Sequence, residues 1–333
     1  MADRSDQHIF MPRKRLRGGH AQTLAGNFLP RTNALPRSEQ RIFKVHDERL
    51  NDDVAVLCEC HWQSERQTAS TVVIVHGLEG STESQYVIGT GSKAWLAGMN
   101  VVRMNMRNCG GTEKFTPTLY HSGMSGDIDA VLTTLIKEEG LERVAVVGYS
   151  MGGNLAVKLA GEYGSDPPRQ LKAVATVSPA MDLAASADAL HDWRNRLYEI
   201  RFLVNLKRRF RRKAQLFPGR YDPRFLKGCS SIREFDHEIT ARYEGFLSAD
   251  DYYSRSSSSR VVEHIHVPTL IIHALDDPFI RVLPETRAKV AANPHITFVE
   301  TQHGGHCAFL AEPNGYDGRW AEKLVIEFIQ KHV

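Results

Sequence analysis

No stretch of this 333-residue chain approaches the roughly 20 consecutive apolar residues that a bilayer-spanning helix needs. The opening residues "MADRSDQHIFMPRKRLRGGH" are polar and basic and hold no apolar signal-peptide core. Cysteines number only five, an odd count in a long chain, which argues against a disulfide framework. A reducing cytoplasm is therefore the expected setting. Net charge is small, +3, too little to argue for nucleic acid. There is no G-x-x-x-x-G-K-[ST] and no strand-linked G-x-G-x-x-G, so no nucleotide cofactor is expected. Cys58, Cys60 and His61 in "CECH" have no second Cys/His pair at zinc-site spacing and read as half-buried strand; His264 and His266 in "HIH" read as structural. No metal is expected, and no repeat of 20–50 residues is visible.

What is present is ordinary soluble-protein chemistry, 42% hydrophobic and 24% charged, enough to bury one large core. "RIFKVHD" and "DVAVLCECHW" read as strands joined by a turn at "ERLND". After them strands alternate with helices: "TVVIVHG", "VVRMNM", "RVAVVG", "KAVATVS", "TLIIHAL" and "ITFVET" are strand-like, and "GDIDAVLTTLIKEEG" is a clear amphipathic helix. That alternation predicts a mostly parallel, eight-stranded α/β sheet with helices on both faces and an antiparallel edge. Residues 1–40 read as an irregular arm packing on the core. Residues 41–182 and 262–333 read as the core itself, and 183–261 as an inserted helical lid.

One short stretch carries chemistry. "GYSMGGN", residues 148–154, follows the strand "RVAVV" and precedes the helix "NLAVKLAGEYG". A G-x-S-x-G alone is weak, since glycine is about 7% of an average sequence and serine is similarly common. Between a strand and a helix it becomes a nucleophile elbow, with Ser150 on a tight turn and glycines where backbones pass closely. A serine hydroxyl needs an imidazole to take its proton and a carboxylate to orient that imidazole. In chain order the acid should follow a later strand and the histidine should come last. "ALDDPFI" offers Asp276 and Asp277 beyond a strand; "TQHGGHCAFL" offers His303 and His306 beyond the last. Asp182 in "SPAMDL" is a third candidate acid. "HGLEGS" after the third strand would aim the Leu78 amide at the site, with the Met151 amide as its partner in an oxyanion hole.

The chain resembles the YheT-type branch of the α/β-hydrolase superfamily, whose relatives include animal lipid hydrolases of the ABHD class. The resemblance rests on "GHAQTL", "HGLEGSTESQY", "MRNCGGTEKFTPTLYHSG", "GYSMGGN", "ALDDPFI" and "GGHCAF", spread over nearly the whole chain. It implies an α/β-hydrolase fold and a hydrolase acting on carboxylic esters, short-chain or lipid-like. The family pattern selects Asp277, three residues after Ala274, and the histidine of "GGH", His306. Tyr120 and His121 fit the family motif as structural or pocket-lining residues.

The reading is then a serine ester hydrolase working through an acyl-enzyme on a small-molecule ester. Acyl transfer or thioester cleavage by the same triad is an alternative, as is a non-catalytic protein that keeps the fold and binds an anionic surface. The last rests on seven Lys/Arg between Arg201 and Lys213, interleaved with Phe202, Leu203, Leu206 and Phe210. That run reads either as a solvated helix face or as a surface making weak contact with an anionic membrane.

Overall fold

The computed structural model describes residues 10–333. The first nine residues of the expected arm lie outside the described residues. Eight strands form one sheet: β1 (Glu39–Asp47), β2 (Asp52–His61), β3 (Thr71–Val75), β4 (Asn100–Met104), β5 (Val144–Tyr149), β6 (Leu171–Val177), β7 (Thr269–Ala274) and β8 (Ile296–Thr301). Their order across the sheet is β1-β2-β4-β3-β5-β6-β7-β8. β1 and β2 pair antiparallel, with Phe43 opposite Val56, and β2 joins β4 antiparallel; every pairing from β4 to β8 is parallel.

The sequence explains this division. β3 is "TVVIV" and β5 is "VAVVGY", runs without polar alternation that are buried on both faces, as parallel strands under helices must be. β2 alternates, with Val54, Val56, Cys58 and Cys60 inward, which suits a strand near the antiparallel edge, between β1 and β4, with one covered face. On one face of the sheet Val73, Val75, Val102 and Val146 pack with Ile128, Leu132 and Leu155 of α3 (Ser125–Lys137) and α4 (Met151–Tyr163). On the other, Val72, Ile74 and Val147 pack with Val87 of α2 (Gln85–Leu96) and with Val325 and Ile329 of the helix Trp320–His332.

The arm is not irregular throughout. α1 (Gly19–Phe28) is a ten-residue helix. Its Gly18 cap makes no side-chain hydrogen bond, and no acidic residue stands in its first turn, so the usual start signals are missing. Tertiary contacts hold it instead. The buried Gln22 donates from Nε2 to the Leu310 carbonyl (3.0 Å) and accepts at Oε1 from the Leu310 amide (2.7 Å).

Between β6 and β7 the chain runs through α5 (Leu183–His191), α6 (Arg196–Leu216), the helix Ala249–Ser256 and shorter turns. Leu183, Ala187, Leu206, Phe210, Ile232 and Phe235 from this segment join the same apolar cluster as the sheet. Ser256, Ser257 and Ser258 of this segment are buried: Asn154 of α4 donates to the Ser122 and Ser256 carbonyls (both 2.9 Å) and accepts from the Ser258 amide (2.9 Å). The basic run of α6 divides. Arg201, Arg208, Arg211 and Arg212 face solvent, but Arg209 and Lys213 do not. Lys213 is fully buried, its ammonium donating to the carbonyls of Glu113 (3.0 Å) and Thr116; burial pushes it down to about 7. Of the seven cations in the run, the solvent-facing ones are these four arginines.

Candidate active site

Because β3, β5, β7 and β8 are parallel, their C-terminal ends share one edge of the sheet, where α/β proteins keep their sites. Four loops leave that edge, and they bring together the residues singled out above.

Ser150 follows β5 at once, with φ 55° and ψ −117°. A non-glycine residue held there stores strain of about 1–3 kcal/mol, tolerated only where the surroundings over-determine it. The surroundings here are tight. The Ser150 amide donates to the Val177 carbonyl (3.0 Å), and its carbonyl accepts from the Asn154 and Ala180 amides (3.0 and 3.2 Å). A Cβ on Gly152 would run into the carbonyls of His76 and Val75, and one on Gly148 into the backbone of Gly152. The turn therefore needs both glycines.

Ser150 Oγ lies 2.9 Å from His306 Nε2, and His306 Nδ1 lies 2.8 Å from Asp277 Oδ2. Asp277 is buried, and its other oxygen accepts the Phe279 and Ile280 amides (3.1 and 2.9 Å). Burial alone would raise the Asp277 carboxyl; the His306 ring facing it and the His306 hydrogen bond leave it below its ordinary value. Burial works against a charged His306. Cys307, whose sulfur lies 3.6 Å from Nε2, and the Asp277 carboxylate outweigh that and hold the ring above the usual histidine range. The shorter bond, from Nδ1 to Asp277 (2.8 Å), sets the ring's orientation.

The competing residues are placed elsewhere. Asp276 accepts from the Gly305 amide (2.8 Å) and pairs with His303 (3.2 Å), so the two runners-up hold each other and the loop between them. Asp182 accepts from the Leu283 amide and the Thr286 hydroxyl (both 2.9 Å), holding the start of the helix Pro284–Ala292. Cys58 and Cys60 lie buried in β2, and no cluster of metal-ligating side chains occurs among the described residues.

Leu78 and Met151 line the same cleft as Ser150, and neither backbone amide has a hydrogen-bond acceptor among the described residues. The turn that carries Leu78 is built on His76. That buried ring sits at the Gly77 carbonyl through Nδ1 (2.7 Å) and accepts the Met106 amide at Nε2 (3.1 Å); burial lowers it to about 4, so it stays neutral.

The sequence offered no sign of what anchors the His306 loop from outside the sheet. Thr23 of α1 accepts the His306 amide at Oγ1 (2.8 Å) and donates to the Gly19 carbonyl (2.7 Å). "GHAQTL" was legible as a motif, and its Thr23 is the residue that grips the histidine loop.

Above Ser150 opens a cleft of about 1010 Å³, its mouth included. Leu183, Ala187, Leu190, Phe202, Leu206 and Phe279 make an apolar wall, and Tyr120 and His121 line it as well. Phe279 packs on the His306 ring at 4.4 Å between centroids.

With fold and site in view, the chain is an α/β hydrolase. It belongs to the α/β hydrolase fold family, whose sequence profile matches residues 70–313. Within that family it lies in the branch of YheT from Escherichia coli (strain K12), being 32% identical to it over 329 residues, 97% of this chain and 94% of that one. It is 27% identical over 266 residues to phospholipase ABHD3 of Bos taurus, covering 79% of this chain and 64% of that protein. The fold is shared with the Pyrococcus furiosus esterase Pf2001 at a TM-score of 0.56 and 14% identity, over 91% of this chain and 99% of that one. The protein is thus an enzyme, a hydrolase of the esterase and lipase kind. No helix among its described residues is long and apolar enough to cross a membrane.

Proposed function

We propose that the protein cleaves carboxylic esters with apolar acyl chains through an acyl-enzyme on Ser150. His306 Nε2 takes the hydroxyl proton as Oγ attacks the acyl carbon, and the Leu78 and Met151 amides receive the negative oxygen. The proton then passes from His306 to the leaving alcohol as the ester C–O bond breaks. Water, deprotonated by the same nitrogen, attacks the acyl-enzyme and releases the acid and Ser150. Asp277 keeps Nδ1 protonated and Nε2 free to act. The observation that carries the reading is the unbroken chain Ser150–His306–Asp277, at 2.9 and 2.8 Å.

The apolar wall supports the choice of acyl group. Each methylene buried against it is worth about 0.8 kcal/mol, or about fourfold in kcat/KM. A series of p-nitrophenyl esters of rising chain length is expected to climb at about that rate from acetate and then level off as the cleft fills. A flat series, or one falling from acetate, would remove the apolar acyl pocket from the account.

The outer face of α6 favours a second, weaker property, contact with an anionic lipid surface. Trp193, Leu197 and Val204 are 77%, 83% and 56% exposed, beside Arg201, Arg208, Arg211 and Arg212. The only acid of the helix, Glu199, is buried and paired with Arg196 (2.6 Å). Each cation near such a surface contributes about 1 kcal/mol, and salt screens it. Co-sedimentation with anionic vesicles at low salt should fall away with added salt and in the variant with all four arginines changed to glutamine. Equal binding to neutral vesicles would leave these arginines as a solvated face.

A further inference from the structure

Glu79, the residue after Leu78, sits at φ 57°, in the left-handed region where side chains of its type are rare. Its carboxylate is turned in from solvent. Oε1 accepts the Tyr120 hydroxyl (2.6 Å) and Arg209 Nε (3.0 Å), and Oε2 accepts Arg209 Nη2 (3.2 Å). The Tyr120 hydroxyl in turn accepts the Glu79 amide (3.3 Å), closing a ring around the turn. Arg209 comes from α6, in the segment inserted between β6 and β7, and also donates to the Asn108 carbonyl. Its guanidinium stands 5.6 Å from the Tyr120 ring centre. Side-chain exposure is 16% for Arg209 and 6% for Glu79. An ordinary surface ion pair holds nothing in place; this one is enclosed, two-pronged, and fastened to a strained backbone.

We propose that Arg209, Glu79 and Tyr120 form a strap by which the inserted helix sets the geometry of the oxyanion turn. The guanidinium fork and the tyrosine hydroxyl fix the Glu79 side chain. That fixes its left-handed backbone, and the peptide just before it carries the Leu78 carbonyl. The plane of the Leu78 residue, and so the aim of its amide, follows. These are positioning residues, acting through the turn rather than on the substrate. Arg209 lines the cleft, yet with Glu79 on its fork it is a neutralised group rather than a free cation for an anionic substrate. The inference rests on the proposed acyl-enzyme reading, in which Leu78 is an oxyanion donor.

The test is steady-state kinetics on a short soluble p-nitrophenyl ester, with the thermal midpoint recorded for each variant. Removing one oxyanion donor outright costs about 10²–10³ in kcat. Misaiming it should cost less, so Arg209→Gln is expected to lower kcat by about 10- to 100-fold with KM little changed. Arg209→Lys, which keeps charge but loses the fork, should fall between the two. Tyr120→Phe removes only the hydroxyl and should lower kcat several-fold; it decides the matter if Arg209→Gln does not fold. Affinity for a trifluoromethyl ketone, which forms an oxyanion on Ser150, should weaken in step with kcat. Folded variants with wild-type kcat and ketone affinity would overturn the strap, as would a rise in KM alone, which would make Arg209 a substrate-binding group. A wild-type protein with no esterase activity would instead overturn the reading beneath it.

Discussion

Ser150→Ala is expected to reduce ester hydrolysis by about 10⁶-fold in kcat, the scale seen when a nucleophile is removed from an intact triad, while the protein stays folded. Stability should hardly change. Alanine at φ 55° carries the same backbone strain as serine, and the loss is one hydroxyl whose partner, His306, remains partly open to the cleft. The backbone bonds that lock the turn, from the Val177 carbonyl to the Asn154 amide, do not involve the side chain. Thermal unfolding should therefore place the variant within about 1 kcal/mol of wild type, as expected when one neutral hydrogen bond is lost. Residual turnover above background would come from the oxyanion amides and binding alone.

The second largest effect is expected at Asp277. Asp277→Asn leaves the packing intact but offers His306 Nδ1 an amide that can turn its NH₂ toward the ring, favouring the wrong tautomer. The drop in kcat should be about 10⁴-fold. Asp276→Asn should cost far less, since Asp276 touches His303 and the Gly305 amide rather than His306. The pH profile sharpens the comparison. His306 acts as base only when neutral, and its pKa is held above the ordinary value. Wild-type kcat/KM should thus rise with pH through a value above about 6.5, the unperturbed histidine pKa, and the limb should move to lower pH when the Asp277 charge is removed. Measured rates in which Asp276→Asn is the more damaging change would transfer the role to its neighbour.

Much of this was legible from local signals because the fold places chemistry where strands end. The fully buried, mainly apolar β3, β5 and β7 announce strands covered on both faces, and each is followed within three residues by a residue of the site: Leu78 after β3, Ser150 after β5 and Asp277 after β7. Choosing between Asp276 and Asp277 needed the family pattern. Adjacent residues of a turn point apart, and only the structure says which one meets His306. α1 escaped the periodicity reading because its hold on the protein is tertiary, through Gln22 on Leu310 and Thr23 on His306, rather than an apolar stripe or a cap. The basic run misled for a related reason. Composition cannot tell Arg211, in water, from Arg209, folded onto Glu79, or from Lys213, buried on two backbone carbonyls. Asn154 likewise sits in a motif whose serine draws attention, while its own work is to tie α4 to the buried serines of the insertion.

The central claim is that Ser150 is the nucleophile, and covalent labelling tests it most directly. A fluorophosphonate reacts with a serine only when a neighbouring base has made the hydroxyl nucleophilic. Incubation followed by peptide mass mapping should place one phosphonyl adduct on the peptide containing Ser150, with no adduct on Ser150→Ala. An adduct on another residue, or undiminished labelling of the alanine variant, would contradict the account.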